Sequence, residues 1–293
     1  MVELKSVYKS VEGNSILKNI NLKLEKGSIL GLIGPNGAGK TSLIKLVTGI
    51  WEPDAGIVTV DGSNIYNDTR VRKSIGYVPD QCHYYESYKV SDMQKFYSLA
   101  YESFDHEMFK SLCESLQINI GKKIRQLSKG MKTKLALIFA LSIHPELMVL
   151  DEPTSGLDPI AKRRLVELLL DEVAGRKTTL LISTHNLYDV EQLCDTIAVI
   201  NNGQITYSGS IDNMKKRLKK LQVVFEGIVP EELTARKDII RISNVGSVFY
   251  IITNSCGDLE TWLKTKNVKH MEAVDMSLED IFVQTLGGKN IYD

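Results

Sequence analysis

Gly34-Pro35-Asn36-Gly37-Ala38-Gly39-Lys40-Thr41 fits the pattern G-x-x-x-x-G-K-[ST] at every fixed position. The glycines remove Cβ atoms that would keep backbone N–H groups away from a polyphosphate. Lys40 adds positive charge for the terminal phosphates, and the Thr41 hydroxyl is a ligand type suited to Mg²⁺. Ser28-Ile29-Leu30-Gly31-Leu32-Ile33 is a short apolar run of buried-strand type, and Thr41 to Val47 has helical spacing. The stretch therefore opens a helix N-terminus, where free N–H groups and the helix dipole favour an anion. Strand, loop and helix come in the order a phosphate cradle requires.

The bulk numbers narrow the setting of this cradle. A chain of 293 residues can bury a large core and suggests one large or two unequal domains. Thirty-six basic residues balance 36 acidic ones, so no global field supports a nucleic-acid partner. Cys82, Cys113, Cys194 and Cys256 are far apart and form no C-x-x-C pair, which speaks against zinc, a redox dithiol or a secreted disulfide framework. The N-terminus lacks signal-peptide architecture, and no apolar run reaches the roughly 18 residues that span a bilayer. Any membrane role is expected to come through a partner.

Alternation places half-buried strands at residues 2–8, with Val2, Leu4 and Ser6 on one face, and at Ile16 to Leu24. Turn residues Trp51 to Gly56 precede strands at Ile57–Val60 and Ile75–Val78, the second ended by Pro79. Ser91 to Leu116 is helical in character, with Met93, Phe96, Tyr97 and Ala100 in one stripe and Phe109, Leu112, Cys113 and Leu116 in another. Alternation of helix and strand then returns: a helix from about Lys129 to Ile143, a strand Leu147–Leu150, a helix Ile160–Val173 and a strand Thr178–Ile182. Such units imply a largely parallel sheet with helices on its faces. Beyond the basic run Lys215 to Lys220, read as a solvated linker helix, strands near Leu221–Phe225 and Val248–Ile252 and a helix Leu278–Leu286 suggest a second, small domain.

Leu147-Met148-Val149-Leu150-Asp151-Glu152 is an apolar strand ending in two carboxylates, and a doubly wound sheet brings such strand ends to the crevice beside the phosphate loop. Asp151 would hold Mg²⁺ through its water shell, and Glu152 would polarise or deprotonate an attacking water. Upstream, Leu127-Ser128-Lys129-Gly130-Met131 places Ser128 as the N-cap of a helix whose N-terminus faces outward.

Taken together, Gly34–Thr41, Leu127–Met131, Leu147–Glu152, Ser155-Gly156-Leu157-Asp158 and His185 resemble an ABC transporter ATP-binding subunit, over residues 1 to about 210. The resemblance implies an α/β fold: a P-loop NTPase ABC cassette over 1–212, with a mostly parallel sheet, a small antiparallel β subdomain and a helical insert at about 88–142. A small C-terminal α/β accessory domain would fill 213–293. It also implies an ATPase using ATP and Mg²⁺. Gly34, Pro35, Asn36, Gly37, Ala38, Gly39, Lys40, Thr41 and Ser42 would hold nucleotide, Thr41 and Asp151 the metal, Glu152 would be the base and His185 the switch histidine. Ser128 and Gly130 would cap the γ-phosphate of a second ATP-binding subunit, identical or different, in a head-to-tail dimer. The implied setting is the cytoplasmic face of the membrane, with integral membrane subunits as partners and export as the direction.

Three places depart from the family pattern. Lys129 and Met131 stand where glycine and glutamine are usual. Val11 occupies the place of an adenine-stacking aromatic, leaving either Val11 or Tyr8 for the base. Asp80, followed by Gln81, stands in the place of a glutamine; its carboxylate would still meet the metal's water shell, and either Asp80 or Gln81 is left to serve as the coupling-loop residue. A soluble ABC-type ATPase acting on nucleic acid or ribosomes is the rival class. Thr41 and Asp151 stand too close in sequence for the long coiled coil of chromosome-maintenance heads, and one chain here carries one cassette rather than two.

Overall fold

Strand β3 (Ile29–Ile33), which feeds the phosphate loop, is buried along its whole length, and only a strand covered on both faces can be so. The computed structural model describes residues 1–227 and 229–285. The chain divides into two compact units, Met1–Ser208 and a second from Gly209 onward. In chain order the first unit holds β1 (Val2–Val11), β2 (Asn14–Leu24), β3 (Ile29–Ile33), α1 (Lys40–Val47), β4 (Ala55–Val60), β5 (Ser63–Asn64), α2 (Thr69–Lys73) and β6 (Ile75–Val78). The helical insert follows as α3 (Val90–Ala100), α4 (His106–Ser115) and α5 (Lys129–Ser142). Then come β7 (Leu147–Asp151), α6 (Pro159–Arg176), β8 (Thr179–Thr184), α7 (Leu187–Leu193), β9 (Thr196–Asn201) and β10 (Gln204–Ser210), whose last two residues belong to the second unit.

The six-stranded sheet has the order β10-β9-β3-β8-β7-β6, and β9, β3, β8, β7 and β6 run parallel. Its central strands serve two cores. Met148, Leu150, Leu180 and Ile182 pack with the helical insert, while Leu147, Val149, Leu181, Leu30 and Leu32 pack with α1 and the antiparallel sheet β2-β1-β4-β5. The alternation is the period of two of a strand, and two apolar faces make the run continuously apolar.

Strand β1 does not alternate as expected. Ser6 adopts φ 47°, the register with β2 shifts between Leu4 and Val7, and Val7 takes the buried face in place of Ser6. An extra residue in one strand re-aims every side chain after it. In the insert, Phe139 of α5 is the hub: Tyr97 stacks on it at 4.1 Å between centroids and Phe109 at 5.2 Å. Phe96 and Ala100, expected in the same stripe as Met93 and Tyr97, are instead exposed, Phe96 by 55%. Val90, Met93 and Tyr97 form the inner face, because i, i+3, i+7 spacing leaves Phe96 turned away.

The second unit contains α8 (Ile211–Arg217), β11 (Lys219–Phe225), α9 (Glu232–Ala235), β12 (Ile239–Val245), β13 (Val248–Thr253), α10 (Cys256–Leu263), β14 (Val268–Val274) and α11 (Leu278–Thr285). Its antiparallel sheet, β12-β13-β11-β14, packs Leu221, Val223 and Ile251 against Leu233, Leu259 and Leu263. The basic run is not one solvated helix. Lys215 and Lys216 lie in α8, Leu218 is buried, and Lys219 and Lys220 open β11. Leu286, expected to end the last helix, lies outside the described residues.

Candidate nucleotide site

The phosphate loop spans the gap between β3 and α1, and its glycines have different tasks. A Cβ on Gly34 would sit 2.2 Å from the Ile200 carbonyl oxygen, so the loop passes too close to β9 for any side chain. Gly37 faces open space at φ 78°, and Gly39 enters α1 at φ 109°. The Lys40 side chain folds back over the loop, its ammonium donating to the carbonyls of Gly34 at 2.7 Å and Pro35 at 3.2 Å. Only 7% of Lys40 is exposed, and burial lowers its pKa against the opposing charges of Glu152 and Asp151.

Thr41, at the second position of α1, donates its hydroxyl to Asp151 at 2.9 Å. Ser183 of β8 donates to the other Asp151 oxygen, so both are held. A hydroxyl and a carboxylate at this separation are hard oxygen donors of the kind Mg²⁺ takes, with waters filling its shell, and the residues fit such an ion. Glu152 follows Asp151 in the left-handed region at φ 50°, its N–H bonded to the Ser183 carbonyl at 3.0 Å. For a non-glycine residue that conformation is strained, and it swings the carboxylate out of the line of the sheet. One oxygen lies 4.0 Å from the Lys40 ammonium, and the other meets His185 Nδ1 at 2.9 Å.

Lys40, Thr41, Asp151 and Glu152 face one cleft of about 780 Å³, whose lining does not include His185. Asn36, Gly37, Gly39, Lys40, Thr41, Ser42, Asp80, Asp151 and Glu152 line it, so most of the residues singled out in sequence are brought together. Others are not. Tyr8 and Val11 are absent from the lining. The rest of the lining is Ser15, Ile16 and Lys18 of β2, with Asn202 and Gly203 between β9 and β10. Val11 is paired across the β1–β2 hairpin with Asn14, and Tyr8 sits on the exposed side of the antiparallel sheet.

Sequence reading missed Ser15, Ile16, Lys18 and Gly203. The signal for the last was present, since Asn-Gly between two apolar strands marks a tight hairpin. Both turn residues have positive φ. Gly203 N–H donates to Ala38 at 3.0 Å, and its carbonyl accepts from Lys18 N–H at 2.8 Å, clamping the phosphate loop to β2.

Ser128 and Gly130 lie outside this cleft. Ser128 caps α5, accepting from Met131 N–H at 3.3 Å, and the Gly130 Cα packs so close to Leu157 and Gly156 that a Cβ would come within 3.4 Å of the Gly156 carbonyl. Lys129, the first residue of α5, pairs with Asp80 at 3.1 Å. Asp80 lines the nucleotide cleft while Gln81 lines only a neighbouring groove.

The profile of the family described as "ABC transporter" matches residues 17–155, and one described as an AAA domain, putative AbiEii toxin, matches residues 123–190. The chain is 33% identical to the ABC transporter ATP-binding protein YtrB of Bacillus subtilis (strain 168), over 99% of each chain. This chain belongs to the ABC transporter ATP-binding proteins. Another relative, 30% identical over 98% of this chain and 97% of its own, is the Nod factor export ATP-binding protein I of Rhizobium sp. (strain N33). A solved ATP-binding subunit of an ABC transporter superposes with TM-score 0.69 at 26% identity, covering 74% of this chain and 92% of its own. The cassette MJ0796, solved as a dimer in a post-hydrolysis state with ADP and Pi, shares the fold at TM-score 0.66 and 22% identity, covering 72% of this chain and 99% of its own. The expected fold class, a mixed α/β ABC cassette with parallel and antiparallel sheets, is the one observed. As an ATP-binding subunit of an ABC transporter, the chain is an ATPase.

Proposed function

We propose that this cassette powers export by closing head-to-tail on a second ATP-binding subunit, with integral membrane subunits carrying the substrate path. The observation that carries the reading is the position of Ser128 and Gly130: Ser128 caps a helix N-terminus, Gly130 lies in its first turn, and both stand apart from the chain's own cleft. An anion-seeking N-terminus with no nucleotide of its own suits the phosphates bound by a second subunit. The export direction is supported by the relative named for Nod factor export. Among the described residues no helix is long and apolar enough to cross a membrane. In this reading the membrane partners hold the subunit at the cytoplasmic face. The unit from Gly209 onward serves as an accessory domain.

In this reading the loop from Gly34 to Gly39 offers N–H groups to the phosphates, and Lys40 leaves its two carbonyls to meet the terminal ones. Thr41, Asp151 and Asp80, which all line the cleft, would hold Mg²⁺, and the ion would supply positive charge to neutralise the phosphates. Ile16, which lines the cleft while Tyr8 and Val11 do not, is the side chain that meets the base in this reading. Glu152 accepts a proton from the attacking water as the water oxygen bonds the γ-phosphorus. The bond to the bridging oxygen breaks, and its electron pair leaves with ADP. His185, bonded to Glu152, fixes the direction in which that carboxylate points.

Glu152→Gln is the test. Its purified protein should bind ATP, stop hydrolysing it and run as a dimer in gel filtration with ATP but not ADP. A monomer at saturating ATP would overturn the head-to-tail closure. Isolation of the native complex in mild detergent should bring integral membrane chains with it, and recovery of this chain alone would overturn the transporter assembly.

A further inference from the structure

Asp189 is a carboxylate that the proposed reaction leaves without a task, yet it is only 4% exposed and every oxygen it has is engaged. One oxygen accepts from the Thr154 hydroxyl at 2.8 Å, and the other lies 2.8 Å from the Lys162 ammonium. These partners belong to three different pieces of chain. Thr154 is in the turn that begins at Glu152, Lys162 is in the first turns of α6, and Asp189 itself is in the first turn of α7, just after His185. A buried charge is kept only where it is paired, so the three pieces are tied at one point.

The two loops tied in this way are those that carry Glu152 and His185. Strands β7 and β8 are neighbours in register, Asp151 opposite Ser183, and each releases its loop at the same edge of the sheet. On one side the Glu152 turn is closed by Ser155 N–H to the Glu152 carbonyl at 3.0 Å and by Leu157 N–H to the Thr154 carbonyl at 3.3 Å. On the other, Asn186 N–H donates to the Thr184 hydroxyl at 3.0 Å, and the Asn186 side chain caps α7 by accepting from Tyr188 N–H at 3.1 Å. Each loop is thus braced within itself. Beyond the first residue after the sheet, where Glu152 N–H still bonds Ser183, the two loops are joined by the Glu152–His185 contact and by the Thr154–Asp189 bond. The first of these has to loosen and re-form around a water and a phosphate; the second is buried.

We propose that Asp189 is a positioning residue for hydrolysis, holding the Glu152 turn and the His185 loop as one body so that the two side chains meet at reacting distance. This rests on the roles given above to Glu152 and His185. An asparagine would keep the shape and the Thr154 bond, but its amide would turn a donor toward the Lys162 ammonium, so charge as well as shape is required at this position.

The experiment is a mutational cycle on the full chain, reading turnover, nucleotide affinity and thermal melting for Asp189→Ala, Thr154→Val, His185→Ala and the doubles with His185→Ala. Asp189→Ala and Thr154→Val should each lower kcat by roughly tenfold or more, since small misplacement at a reacting centre is costly. Their affinity for ADP should stay within about twofold, because the phosphate loop is untouched. In the His185→Ala background neither should lower kcat further, an outcome that a general loss of stability would not produce. Thr154→Val removes one donor at nearly constant volume and carries the cycle if Asp189→Ala does not fold. Turnover of the folded single variants within twofold of the parent, or equal losses with and without His185, overturns the positioning role alone. Parental turnover in His185→Ala overturns the role of His185 and, with it, this inference.

Discussion

The Lys129 ammonium lies 3.1 Å from the Asp80 carboxylate, joining the start of α5 to the wall of the nucleotide cleft. Two departures from the family pattern, Lys129 at the start of α5 and Asp80 after β6, thus pair with each other. A cation at the first position of a helix opposes the dipole, and Asp80 offsets that cost. Both side chains are well exposed, 57% and 39%, so the pair itself contributes at most about 1 kcal/mol. Lys129→Ala and Asp80→Asn should therefore change ATPase activity non-additively, with a coupling of about 1 kcal/mol or less that shrinks as salt is raised. Steady-state hydrolysis by both singles and the double at low and high salt checks this; full additivity would show the pair to be incidental.

Glu152 adopts φ 50°, a conformation that costs a residue with a Cβ about 1–2 kcal/mol and a glycine almost nothing. Glu152→Gly and Glu152→Ala both remove the carboxylate, and neither should hydrolyse ATP. The glycine variant should be the more stable by about 1 kcal/mol, measured by urea unfolding. Equal stability would mean that the strain is absorbed elsewhere.

Gly203 sits at φ 75°, and a Cβ there would fall 2.0 Å from the Ile16 carbonyl oxygen. Gly203→Ala should push the β9–β10 turn off β2 and the phosphate loop. Nucleotide affinity should fall by roughly tenfold or more and stability by about 1–3 kcal/mol, read by calorimetry and thermal melting. Gly37→Ala meets open space and should cost less stability, the strain of its positive φ alone.

Burial pushes the thiols upward: Cys82 and Cys256 to about 11, Cys113 to about 12, and Cys194 higher still. A raised pKa leaves little thiolate near neutrality, and thiolate is the species that reacts. Native protein at pH 7.5 should react with iodoacetamide far more slowly than urea-unfolded protein, with labelling of Cys82 and Cys256 accelerating as pH approaches 11. Mass spectrometry of timed samples would show this; fast native labelling at neutral pH would contradict it.

The phosphate loop, its strand and helix and the carboxylate pair were determined by local sequence. Each is a contiguous run whose chemistry and periodicity are written in neighbouring residues, and β3 and β7 need no outside information to read as doubly covered strands. Strands β12 and β14 escaped that reading because, at the edges of a small sheet, they bury few residues and show no alternation. The phase of β1 escaped it because a bulge at Ser6 shifts the pattern by one residue. What only the tertiary structure decided is which distant residues meet. Lys18 and Gly203 clamp the loop, Ile16 faces the cleft where Tyr8 and Val11 do not, Asp80 finds Lys129, and Asp189 ties Thr154 to Lys162. These contacts join residues far apart in the chain, brought together by the order of strands in the sheet, and no local pattern encodes such an order.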